Sequence, residues 1–81
     1  MHEGPGIRLR FENDKNQRYY EVHLQKDLFN LWSVTRVWGR KRSALGQVRH
    51  MPHETYLSAI QDIDTVIRQR RNKGYKLQQY I

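Results

Sequence analysis

The chain predicts an α+β fold: a small β-sheet, then one long amphipathic helix and a short closing strand. Three observations predict it. Residues 7–24 alternate apolar and polar side chains with a period of two. Residues 28–51 are dominated by aromatic, β-branched and cationic side chains. From about His53 to Asn72 the apolar residues instead recur at helical spacing.

Ile7-Arg8-Leu9-Arg10-Phe11-Glu12 puts apolar side chains at odd positions and charged ones at even positions, which reads as a half-buried strand. Residues 13–17 form a polar turn, rich in Asn and Asp that tolerate left-handed backbone. Tyr20, Val22 and Leu24 then alternate with Glu21, His23 and Gln25, giving a second strand and a hairpin. Lys26-Asp27 marks the next turn, and Leu28 to Trp38 reads as a longer third strand. Its apolar residues change phase: Trp32 and Val34 share a face, whereas Val37 falls on the other. A bulge, or a strand covered on both sides, accounts for such a change. Gly39 ends the run, residues 41–44 form a basic loop, and Leu45 to Met51 is a fourth strand. Pro52 breaks the pattern and suits the start of a helix. In that helix Tyr56, Ala59, Ile60, Ile63, Val66 and Ile67 make one apolar stripe for the sheet. Acids lie toward its beginning and Arg68, Arg70, Arg71 and Lys73 crowd its end, in the sense the macrodipole favours. Gly74 stops it, and residues 75–80 form the closing strand.

At 81 residues the chain holds one small domain, residues 7–81, after a flexible start over residues 1–6. Fifteen Lys/Arg against eight Asp/Glu give a net charge of +7, which favours polyanionic partners. The bland alternative is a solubilising basic surface. The absence of cysteine excludes disulfides and thiolate metal sites. No targeting or membrane-spanning segment is evident, so the expected location is the cytoplasm, with nucleoid association if DNA is bound. No catalytic residues are expected. Asp62 and Asp64, two apart on a helix, face different ways, and no Ser-His-Asp or phosphate-loop pattern occurs. His50 and His53 lack a nearby third ligand, so neither a metal nor a cofactor is expected.

The chemistry concentrates at Trp38-Gly39-Arg40. No acid lies between Asp27 and Glu54, and Arg36, Arg40, Lys41, Arg42 and Arg49 all fall in that interval. Clustered cations hold phosphates without needing exact spacing, and an indole among them offers a stacking surface. By spacing alone Trp38 reads as a core residue, as strand tryptophans usually are. Its place at a strand end, beside glycine and cations, favours an exposed surface. Trp32, between Leu31 and Val34, is assigned to the core. Arg68, Arg70, Arg71 and Lys73 form a secondary basic patch that the helix dipole explains equally well.

Beyond the tripeptide, Tyr19-Tyr20-Glu21-Val22-His23-Leu24 precedes Trp32-Ser33-Val34, and Gly46-Gln47 and Lys73-Gly74-Tyr75 follow it in order. In this the chain resembles the WGR domain, found in nuclear poly(ADP-ribose) polymerases and in small bacterial proteins, over roughly residues 15–80. The resemblance implies a small twisted antiparallel β-sheet with one amphipathic α-helix packed across one face. It also implies DNA binding near a strand break, with the motif Trp on a terminal sugar and basic residues on the phosphates. Carried over, Trp38 is the stacking residue and Arg40 the motif cation, which in the polymerases relays binding to neighbouring domains. One departure stands out: many members have Gly two residues after the motif Arg, where this chain has Arg42. The expected function is thus sequence-independent, non-enzymatic binding of DNA, or of RNA. A protein–protein module docking an acidic partner or a separately encoded enzyme is the alternative.

Overall fold

The computed structural model describes residues 6–80. Of the expected flexible start, all but Gly6 lies outside the described residues. Five strands form one antiparallel sheet, and a single helix packs against it. The strands are β1 (Ile7–Asn13), β2 (Arg18–Lys26), β3 (Trp32–Arg40), β4 (Gly46–His53) and β5 (Lys76–Tyr80), with α1 (Tyr56–Asn72) between the last two. Their order across the sheet is β4-β3-β2-β1-β5, so the chain meanders outward and then returns through α1 to the far edge.

The period-two pattern has its expected consequence. Leu9, Phe11, Tyr20, Val22 and Leu24 all point to the helix side and are buried, joined there by Trp32 and Val34. Ala59, Ile63 and Val66 of α1 close this core. Fully buried aliphatic side chains such as Val22 and Val34 each contribute about 1.5–3 kcal/mol relative to exposure. The opposite face is polar, and there Arg10 bridges Glu12 and Glu21.

Three element boundaries depart from the sequence pattern. β3 begins at Trp32, not Leu28, and Leu28 and Phe29 are 100% and 82% exposed. The cause is local: the Asp27 carboxylate accepts hydrogen bonds from the backbone N–H groups of Phe29 (2.8 Å) and Leu31 (3.0 Å). Asn30 supplies the left-handed residue of this turn, with φ 66°. β3 carries no bulge against either neighbour; Val37 simply faces the polar side, paired with Val48 and Glu21. The irregularity lies elsewhere, between Arg10 and Phe11 where β1 meets β5.

Pro52 does not open the helix but lies within β4. That strand is at the sheet edge, where a residue without an N–H is tolerated. The helix starts at Tyr56, with the Thr55 hydroxyl accepting from the Ser58 N–H at 3.1 Å as its N-cap. It ends where expected. Gly74 takes φ 87°, and the Gly74 and Tyr75 N–H groups donate back to Arg71 and Arg70 carbonyls. The buried Asn13 side chain donates to the Lys73 carbonyl at 3.1 Å, tying the end of β1 to this cap.

Candidate nucleic-acid interface

Alternation along β3 puts Trp32, Val34, Arg36, Trp38 and Arg40 on the helix side of the sheet, which the cross-strand register extends to Arg18 on β2 and Arg49 on β4. The helix covers only part of this row. At its start Tyr56 meets Trp32 edge-on, with centroids 4.9 Å apart. One turn and a half later Asp62 holds Arg36 at 2.6 Å. It then crosses toward β2, where the Arg70 guanidinium lies 4.2 Å from the centre of the Tyr20 ring and 5.2 Å from that of Tyr75. The corner around Trp38 is left open.

There the half-buried indole stacks on Tyr20, with centroids 5.8 Å apart and planes 15° from parallel. Its remaining surface borders two depressions. One, of about 370 Å³, is lined by Arg18, Tyr19, Tyr20, Arg36, Trp38, Gly39, Arg49, Arg70 and Tyr75. The other, of about 500 Å³, adds Arg40, Ser43, Leu45, Gly46 and Gln47 to Arg18, Trp38 and Gly39. Among the described residues no carboxylate lines either one.

The arginines here differ in how far they are neutralised. Arg36 is partly buried. Burial, the largest single influence, works against its charge, but the hydrogen bond it donates to Asp62 and the further attraction of Asp62 and Tyr20 together outweigh it, and its pKa moves up. His53 holds the other oxygen of Asp62 at 3.0 Å, while its second ring nitrogen meets the Ser58 hydroxyl at 2.8 Å. Arg18, Arg40, Arg42 and Arg49 are exposed and have no carboxylate partner among the described residues. The Arg70 Nε is buried without a hydrogen-bond partner.

Of the residues singled out in the sequence, Trp38, Arg40, Arg36 and Arg49 therefore come together. Lys41 does not join them. Its ammonium lies 2.7 Å from Asp14 and 2.9 Å from Glu12, and those hydrogen bonds raise its pKa. The run of sequence without acids concealed this pairing, because the carboxylates arrive from elsewhere in the chain, Glu12 from β1 and Asp14 from the β1–β2 turn. Arg42 lies in the loop beyond the cleft with φ 65°, so the position where many WGR members carry glycine is a left-handed one. The secondary patch divides. Arg70 enters the cleft, Arg68 pairs with Asp64 at 3.3 Å, Arg71 borders an apolar recess with Leu9 and Phe11, and Lys73 lies beside Asn13 and Asp14. Arg18 and Tyr20 belong to the site but were not among the expected binding residues. The strand register brings them in, placing Arg18 opposite Arg40 and Tyr20 opposite Trp38.

Gly39 acts mainly on the other face. It pairs with Gly46 across the strands, and the Tyr19 hydroxyl packs over both. A Cβ on Gly39 would stand 3.3 Å from that oxygen, and one on Gly46 only 2.9 Å. The two glycines make room for Tyr19, whose ring in turn receives the Arg10 guanidinium at 4.7 Å. His50 pairs with Thr35 at 2.9 Å, and no cluster of three or more metal-ligating side chains occurs among the described residues.

The model of the WGR domain family matches residues 7–80, nearly the whole chain. The chain belongs to the WGR domain family. No curated protein and no solved structure gave a further match. In this WGR domain the motif residues are thus divided between the faces of β3: Trp38 and Arg40 on the helix side, Gly39 beneath Tyr19. Membership of the family is consistent with nucleic-acid interaction at a general level. No helix among the described residues is long and apolar enough to cross a membrane.

Proposed function

We propose that this WGR domain is a non-enzymatic module that binds nucleic acid, DNA above all, at strand breaks and without reading sequence. One observation carries the reading: exposed arginines without acidic partners surround a half-buried indole already stacked on Tyr20. Arg18, Arg40, Arg42, Arg49 and Arg70 hold phosphates, and Trp38 presents a flat apolar surface to a sugar or base. The one helix among the described residues is spent on the sheet, which leaves no helix there to enter a major groove. In a bacterial cell such a protein would be cytoplasmic and associated with the nucleoid.

The test is a titration of fluorescent nicked duplex and single-stranded DNA at several salt concentrations. With roughly five phosphates engaged, log K against log salt falls with a slope of about −4 to −5 on duplex. A flat salt response, or no binding at low salt, overturns the reading and leaves the domain to a protein partner.

A further inference from the structure

We infer that this domain associates head to tail with a second copy of itself. The Leu28–Phe29 turn of one chain seats in the apolar recess between α1 and the β1–β5 edge of the next. The contact shares no residue with the cleft around Trp38 and does not depend on the function proposed above.

One half of the contact is a rigid knob. Leu28 is the most exposed large hydrophobic residue among those described, and Phe29 beside it is nearly as open. The turn that carries them is pinned. The Asp27 N–H donates to the Leu31 carbonyl at 2.8 Å, and the Asp27 carbonyl accepts from the Asn30 N–H at 3.2 Å. The Asp27 carboxylate holds the Phe29 and Leu31 N–H groups as well. A knob already held in shape loses little freedom on docking, so its apolar surface is expressed as affinity.

The other half lies on the same chain. Leu9, Phe11, Ile67 and Leu77 line a recess of about 200 Å³, with Arg71 at its rim. Leu77 stands opposite Phe11 across the β1–β5 ladder and is half exposed. A cavity of about 150 Å³ with such a lining takes up a benzene ring, so a phenylalanine side chain fits. Charge agrees with shape. Among the described residues Arg71 has no carboxylate partner and Asp27 no cationic one, and docking brings Asp27 in beside the knob. Leu28 at full exposure leaves its own chain's recess unfilled, and knob and recess are different surfaces, so the contact is heterologous. Two side chains offer roughly 300 Å² to a partner, against about 800 Å² a side in a stable complex, so association is weak. Each copy carries +7, and the contact forms where salt or a bound polyanion screens that charge.

The experiment uses the protein alone in high salt. Sedimentation equilibrium from about 10 µM to about 1 mM, the range of a contact this small, follows the average mass. An amide chemical-shift dilution series on the native protein maps the surfaces involved. The expected result is a mass that rises with concentration and with salt, with shifts at residues 28–29 and around Ile67 and Leu77 together. Phe29→Ser removes the knob and Leu77→Glu spoils the recess, and thermal melts check that both stay folded. Each variant alone stays monomeric, yet an equimolar mixture regains association as pairs, because one supplies the recess and the other the knob. If Leu77→Glu does not fold, the native shift map decides alone. A native protein that stays monomeric throughout overturns the inference. So does association that Phe29→Ser abolishes and a folded Leu77→Glu leaves intact, since two tips then meet each other.

Discussion

Trp38 lies almost parallel to Tyr20, 5.8 Å away, and that contact makes the motif indole a fixed surface and not a free one. The sequence suggested a ring standing in water. Instead one part of it is packed against the core, and the rest borders the arginine-lined depressions. A rigid ring loses little conformational freedom when a ligand arrives, so more of the stacking energy is expressed as affinity.

Trp38→Ala should therefore act twice. Binding to nicked DNA weakens by about 1–3 kcal/mol through lost stacking. Stability falls as well, by about 0.5–1.5 kcal/mol for the lost aromatic pair beyond its buried area. Anisotropy titration and urea melts on the same sample separate the two, and unchanged affinity in a folded variant removes Trp38 from the interface.

Asp62 is expected to be structural and electrostatic together. Asp62→Ala leaves Arg36 partly buried opposite Arg49, with His53 deprived of its acceptor. Both members of the Arg36–Asp62 pair retain some solvent contact, so the loss is smaller than for a fully buried pair, about 1–3 kcal/mol. Chemical denaturation measures it. If Asp62→Ala costs nothing, the helix does not position Arg36.

Arg42 occupies left-handed backbone, where a side chain costs roughly 1–2 kcal/mol. Arg42→Gly relieves that strain and should raise stability by about 0.5–1 kcal/mol after the entropy of glycine is counted. The same change should reduce the salt slope of DNA binding by about one if Arg42 meets a phosphate. A more stable protein with an unaltered slope would show the arginine to be idle in binding.

Gly46→Ala drives a methyl group to within 2.9 Å of the Tyr19 hydroxyl and should destabilise by about 1–3 kcal/mol. Tyr19→Phe removes the oxygen, so the double variant should recover a good part of the loss. Additive losses in the thermal melts of the three proteins would mean that Tyr19 is not the obstacle.

The first two strands were legible because one face of each is buried, so alternation writes burial directly into the sequence. The helix was legible for the same reason at its own period. The start of β3 was not. Leu28 and Phe29 have strand-like composition, but the Asp27 carboxylate captures two backbone N–H groups and holds them in a turn. Pro52 misled in the opposite direction, since an edge strand tolerates it and the Thr55 hydroxyl supplies the true cap. Within the site, Trp38 and the arginines at 36, 40 and 49 could be named from charge patterning. Lys41 looked identical to them in one dimension, yet it is neutralised by acids about 27 and 29 residues away in the chain.

By itself the sequence determined the α+β architecture, the order of the elements, the cationic character and the motif around Trp38. Each follows from local periodicity or composition, which act over a few residues. Tertiary structure decided which arginines remain unpaired, that Arg18 and Arg70 join the site, and that Tyr20 supports the indole. Charge pairing and ring stacking depend on strand register and on the path of the helix across the sheet, and those distances exist only once the chain has folded.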